Sequence, residues 1–155
     1  MDKCFQCEKG DTIKENTNCP FCGKPGKKVN LKTLKSLLKV SLRRIFPSES
    51  YFFCETENCT IVYYNSSGDV FKTEDVKVPV YQKESENPFV PVCYCFNHTL
   101  GEILFMVKEK REREIIDDIN TGIKLNQCAC DLRNPQGSCC LGNIYKIMKK
   151  SLKNS

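Results

Sequence analysis

The sequence is poor in the groups that most enzymes use. It has one histidine, His98, so there is no plausible Ser–His–carboxylate set. None of its 8 glycines sits in a phosphate-cradling loop. No stretch is long or apolar enough to span a bilayer. The N-terminus lacks the apolar run of a signal peptide, because Met1-Asp2-Lys3 leads straight into Cys4. These absences point away from an enzyme and toward a cytoplasmic address, where thiols stay reduced or take metal.

What is abundant is cysteine. The chain has 12 in 155 residues, far above the usual share, and only disulfides or metal explain such a count. The close C-x2-C and C-x-C spacings favour metal, because cysteines this near rarely bridge each other but clamp one ion easily. A reactive-cysteine enzyme fits these spacings poorly. The length suits one domain or two small ones sharing a modest core. The formal charge of +5 treats every thiol as neutral. A tetrathiolate Zn²⁺ site and a tetrathiolate 2Fe–2S cluster each contribute about −2, which leaves about +1. The basic charge balances metal sites, and nucleic acid is not an expected partner. The aromatics also lie in strand patterns, with no base-stacking platform.

Cys4-Phe5-Gln6-Cys7 and Cys19-Pro20-Phe21-Cys22-Gly23 are C-x2-C knuckles. In the second, proline fixes the turn and glycine permits the positive φ that such turns need. From Val29 to Ile45, Leu31, Leu34, Leu37, Leu38, Leu42 and Ile45 recur at helical spacing. Lys32, Lys35, Lys39, Arg43 and Arg44 take much of the other face, either as a solvated surface or as a dock for an acidic partner. Pro47 ends the pattern. Tyr51 to Phe53 reads as a strand leading into a C-x4-C turn, Cys54 to Cys59, and Thr60 to Tyr64 as a strand leading out. Asn65-Ser66-Ser67-Gly68 is a hairpin turn before Val70 and Phe71. Val76, Val78 and Val80 alternate with polar residues and predict one more strand. Residues up to about 85 therefore read as a small β-rich zinc module with one helix. Lys83 to Pro91, with two prolines, reads as a linker. Two four-thiol sets are open: a ribbon of Cys4, Cys7, Cys19 and Cys22, or a site that recruits Cys54 and Cys59.

The second half is organised by Cys93-Tyr94-Cys95 and its distant partners Cys128, Cys130, Cys139 and Cys140. About thirty residues of helix-like sequence separate the two places. Two thiol-rich turns at the ends of a helical segment can close on one compact site, and an iron–sulfur cluster is the expected occupant. A second zinc site is the alternative. Cys93 and Cys95 are expected at a helix start, whose N-terminus favours a net negative cluster. Thr99-Leu100-Gly101-Glu102 is a capping-box pattern, followed by Ile103, Leu104 and Val107 on one face. Ile115, Ile116 and Ile119 mark a second helical stretch, broken around Thr121-Gly122. The loop Asn134-Pro135-Gln136-Gly137 returns the chain to Cys139-Cys140, again at a helix start. Adjacent cysteines point to different sides, so one of that pair is expected as a ligand. Leu141, Ile144, Tyr145, Ile147, Met148 and Leu152 predict the last helix. His98 lies close to Cys95 but is not expected to ligate.

Pro91-Val92-Cys93-Tyr94-Cys95 and Cys130-x3-Asn134-Pro135-x-Gly137-x-Cys139-Cys140-Leu141-Gly142 resemble the N-terminal region of the CopZ-type iron–sulfur/zinc copper chaperones. The resemblance extends through Cys19-Pro20-Phe21-Cys22-Gly23, the leucine-rich helix and Phe53-Cys54-x4-Cys59-Thr60-Ile61-Val62-Tyr63, and so covers nearly the whole chain from Asn18. The C-terminal half also resembles the 2Fe–2S domain of bacterioferritin-associated ferredoxin. The resemblance implies an α+β chain. Its first part is a small β-rich zinc-binding module over residues 1–85, with an N-terminal cysteine tail. A small helical 2Fe–2S domain follows over residues 86–155. It implies Zn²⁺ on Cys19, Cys22, Cys54 and Cys59, and a 2Fe–2S cluster on Cys93, Cys95, Cys130 and Cys140.

It also implies electron transfer that takes Cu(II) to Cu(I), with a copper transporter or other copper-accepting protein as partner. Cys4 and Cys7 are then left over, and a free pair suits Cu(I), a soft ion that accepts two thiolates. The best-known architecture of the family adds a heavy-metal-associated domain with an M-x-C-x-x-C loop, which this sequence does not contain. The alternatives in other classes are a ferredoxin-like electron carrier without a copper role and a zinc-only adaptor.

Overall fold

In the computed structural model, residues 17–154 are described. The first half is built on a four-stranded antiparallel sheet in sequence order: β1 (Lys27–Val29), β2 (Tyr51–Phe53), β3 (Ile61–Asn65) and β4 (Val70–Lys72). Side chains alternate between faces along a strand, and here both faces are buried. Tyr51, Phe53, Val62, Tyr63 and Phe71 pack with Leu34, Leu37 and Leu38 on one side. Phe52 and Tyr64 pack with Cys19, Cys54 and Cys59 on the other, their rings stacked 5.7 Å apart. The β3–β4 hairpin turns where expected: Asn65 Oδ1 accepts from the N–H groups of Ser67 and Asp69.

The leucine-rich stretch is a shorter helix than its spacing predicts. Helix α1 runs Leu31–Leu37, started by Asn30, whose side chain accepts from the Lys32 N–H. Leu38 turns extended because the chain from Asp75 to Lys77 offers a ladder there. Lys39 N–H donates to Asp75 O and Lys77 N–H to Leu37 O, with Leu38 bridging Val76. Leu42 and its neighbours Arg43 and Arg44 form a single 3₁₀ turn, and Leu42 is exposed. The strand expected over Val76, Val78 and Val80 is not formed. Val76 makes one bridge, Pro79 lacks the N–H a ladder needs, and 3₁₀ turns at Thr73–Asp75 and Tyr81–Lys83 flank the segment.

The second half is a two-stranded hairpin, β5 (Pro91–Cys93) with β6 (His98–Thr99), and four helices: α2 (Leu100–Lys108), α3 (Glu112–Lys124), α4 (Cys130–Arg133) and α5 (Leu141–Lys153). Thr99 caps α2 by accepting from the Glu102 N–H at 3.2 Å. Leu100, Ile103, Val107, Ile115, Ile119, Ile144, Ile147 and Met148 form its core with Val90 and Val92. Helix α3 is continuous through Gly122, against the break expected there. Among the described residues, no helix is long and apolar enough to cross a membrane. The chain is thus mixed α+β, a small sheet module followed by helices.

Candidate metal centres

The first centre is made by two turns on one side of the sheet. Cys19 and Cys22 lie on the knuckle before β1, where Gly23 N–H donates to Cys19 O at 2.9 Å and Cys19 N–H to Lys24 O at 2.8 Å. Gly23 sits at φ +75°, which a residue with a side chain adopts at a cost. Cys54 leaves β2 with its N–H bonded to Val62 O, and Cys59 enters β3 with its N–H on Thr56 O. The four sulfurs all lie within 4.8 Å of one another. Cys19 Sγ is 3.8 Å from Cys59 Sγ, and Cys22 Sγ is 3.7 Å from Cys54 Sγ. This grouping uses Cys54 and Cys59; Cys4 and Cys7, the other half of the ribbon alternative, lie outside the described residues.

The electrostatics of this quartet call for a cation. Burial pushes the Cys19 thiol up and the Cys59 thiol up to about 12. Burial also works against Cys22, but the Thr56 hydroxyl, 3.2 Å away, and the Lys24 N–H outweigh it and hold that thiol at about 6. One thiolate forms readily; four this close repel one another unless a metal neutralises them. Four sulfur donors with no open position make a closed, structural site, and Zn²⁺ fits it. Thr56 carries no pattern that marks it in the sequence.

The second centre is a cavity of about 230 Å³ lined by Cys93, Cys95, Cys128, Cys130, Cys139 and Cys140, with Phe96, Ile119 and Ile123. Cys93 ends β5 and Cys95 lies in the turn to β6, completed by Asn97 at φ +60°. That turn, not a helix start, holds the C-x-C motif, because β6 intervenes before α2. The helix starts are at the other end of the site: Cys130 begins α4 and Cys140 is the N-cap residue of α5. Cys95 Sγ is 3.7 Å from Cys130 Sγ and accepts from the Ala129 N–H at 3.2 Å. Cys93 is hydrogen-bonded to Cys140, which lowers the Cys93 thiol and raises that of Cys140. Cys128 and Cys139 are exposed at the same cavity.

Among the described residues, the first quartet is the one group of three or more such ligand atoms within 4.8 Å of one another. The second set forms two pairs around a cavity instead. Two pairs suit a group wider than one ion, and a 2Fe–2S cluster, with two thiolates per iron, fits that donor set.

Two neighbours of the cavity were not legible as such. Gly122 of α3 reads in sequence as a helix break, but its reason is close approach: a Cβ there would lie 2.1 Å from Phe96 Cζ. The Phe96 ring therefore rests on bare helix backbone beside the thiols. His98 is held between two carboxylates, Nε2 at 2.7 Å from Asp118 Oδ2 and Nδ1 at 3.2 Å from Glu102. Burial alone would lower its pKa, but Asp118 and Glu102 raise it. Both ring nitrogens are engaged in these contacts.

With that geometry in place, the chain can be set beside known proteins: residues 16–77 match the zinc binding domain family zf_CopZ. The chain as a whole is similar to copper chaperone CopZ of Archaeoglobus fulgidus, 34% identical over 129 residues and 83% of this chain. It spans 60% of the length of that relative. The X-ray structure of the Archaeoglobus fulgidus CopZ N-terminal domain superposes with a TM-score of 0.70 at 29% identity, covering 84% of this chain and 96% of that one. Each of these two likenesses extends over more than four fifths of the chain.

Proposed function

We propose that this protein is a cytoplasmic metal-binding redox protein of the copper-chaperone type, with a structural Zn²⁺ on Cys19, Cys22, Cys54 and Cys59. A 2Fe–2S cluster sits on Cys93, Cys95, Cys130 and Cys140. The observation that carries this reading is the contrast in donor geometry, four thiols converging at one site and two thiol pairs around a cavity at the other. The likeness to a protein named copper chaperone supports the copper role.

Bound there, a 2Fe–2S group supplies one-electron chemistry, enough to take Cu(II) to Cu(I). The chain's own residues do the rest. Ala129 N–H donates to the Cys95 sulfur at 3.2 Å and fixes its place at the cavity. Phe96, Ile119 and Ile123 line the cavity with apolar surface beside the sulfurs. The Cu(I) formed passes through thiols to a copper-accepting protein such as a transporter.

The test is to reduce the protein without oxygen, add Cu(II), and trap Cu(I) with a chromogenic chelator. About one Cu(I) per chain is expected from reduced protein, with none from the same protein oxidised beforehand. A coloured protein that yields no Cu(I) is a ferredoxin-like carrier. A colourless zinc protein is an adaptor.

A further inference from the structure

The loop that carries Cys130 and Cys140 is anchored on the zinc module. Thr33 of α1, fully buried, donates through Oγ1 to Asp131 O at 2.7 Å, one residue past Cys130. Tyr63 of β3, also fully buried, donates through its hydroxyl to Pro135 O, midway between the two cysteines. Helix α1 packs on α4 along this seam, and Lys32 pairs with Asp131 at 3.0 Å on its rim. A Cβ at Gly137 would sit 3.1 Å from Thr33 Oγ1, so the loop backbone lies directly on that hydroxyl. Tyr63 lies four residues beyond Cys59 on the strand that leaves the first quartet.

A hydroxyl buried in an apolar core needs a partner, and a carbonyl buried opposite it needs one too. The Thr33 and Tyr63 side chains help fill the module's interior, but both hydroxyls bond to carbonyls on the other half of the molecule. Phenylalanine and valine fill the same volumes without the bond. The hydroxyls at these two positions therefore serve the loop.

We propose that Thr33 and Tyr63 are positioning residues for the second thiol centre, holding the backbone of the Cys130–Cys140 segment from within the zinc module. This rests on the 2Fe–2S reading above. It makes the first metal site the foundation of the second: folding the sheet around Zn²⁺ sets Tyr63, and Tyr63 sets the loop. Coupling of this kind travels through packed side chains and hydrogen bonds between two rigid elements.

The test uses the full chain purified without oxygen, as wild type, Tyr63→Phe, Thr33→Val and Thr33→Ser. Zinc, iron and acid-labile sulfide are measured first, then the rate of iron release to a ferrous chelator and the midpoint potential. Tyr63→Phe and Thr33→Val are expected to keep one zinc per chain and to release iron at least about threefold faster, with a shifted potential. Thr33→Ser, which keeps the hydroxyl, is expected to restore the wild-type rate. Release rates and potentials equal to wild type, with only a lower melting temperature, overturn the proposal and leave the cluster reading intact. A wild-type protein without iron and sulfide overturns both. If Tyr63→Phe does not fold, the contrast between Thr33→Val and Thr33→Ser decides.

Discussion

The two thiol centres of this chain are built by different means. The first is made of turns welded to a sheet: a C-x2-C knuckle precedes β1 and a C-x4-C turn joins β2 to β3, with local N–H bonds and aromatic rings behind them. The second is made of a hairpin turn, a one-turn helix and the cap of α5, and its loop is held by side chains from elsewhere. A closed quartet defines its own geometry once metal binds. A paired set around a cavity depends on the scaffold that keeps the pairs apart. The first site should therefore govern folding, and the second should govern chemistry.

That contrast can be broken in steps. The largest effect is expected from Cys59→Ser, which removes one ligand of the quartet. Structural Zn²⁺ sites contribute about 10–16 kcal/mol of apparent binding energy to folding, so zinc content and far-ultraviolet dichroism should both collapse. A folded Cys59→Ser protein with normal iron would mean that the sheet stands without its metal.

Next comes Gly122→Ala, which drives a methyl group into the Phe96 ring. Overpacking of this kind costs about 1–3 kcal/mol. Thermal melting should fall while zinc stays at one per chain, because the clash lies at the second centre. Replacing Phe96 by leucine in the same chain should recover part of the loss.

Tyr94 gives a smaller effect with a pH signature. Its hydroxyl donates to Pro79 O at 2.6 Å and accepts from the Tyr81 N–H at 3.0 Å, tying the C-x-C turn to the preceding segment. Burial, opposed in part by the Tyr81 N–H, raises its pKa above the usual phenol value. A raised pKa means a contribution fully present below the unfolded value of about 10 and lost as pH climbs toward the folded one. Tyr94→Phe should cost about 1–2 kcal/mol at neutral pH and flatten the alkaline limb of the stability curve. Urea midpoints at pH 7 and above pH 10 measure both.

The smallest effect is expected from Cys128→Ser with Cys139→Ser. Both thiols are exposed and outside the proposed ligand set. Stability should change by no more than about 0.5 kcal/mol, with iron and sulfide unchanged. Loss of iron in either single variant would move that cysteine into the ligand set.

Much of the architecture could be read from the residues themselves. The strand–turn–strand around Cys54 and Cys59, the hairpin at Asn65 to Gly68 and the cap at Thr99 are local signals, and they form where the sequence puts them. What failed was decided at long range. The leucine stripe stops at Leu37 because Asp75 and Lys77 compete for its backbone, and the valine strand dissolves for the same reason and for Pro79. Gly122 looked like a break because a glycine in a helix has no local sign of what rests on it. The convergence of Cys19, Cys22, Cys54 and Cys59 could be expected from a resemblance but not from spacing, since a knuckle at Cys4–Cys7 would serve as well. Thr33 and Tyr63 looked like ordinary core.

The central claim is that one chain carries two unlike metal centres. Its most direct test is a joint assay of zinc, iron, acid-labile sulfide and visible absorbance on protein purified without oxygen. The account predicts about one zinc, two irons and two sulfides per chain, with visible colour. Two zincs without sulfide, persisting after expression in ample iron, would contradict it and leave a protein with two zinc sites.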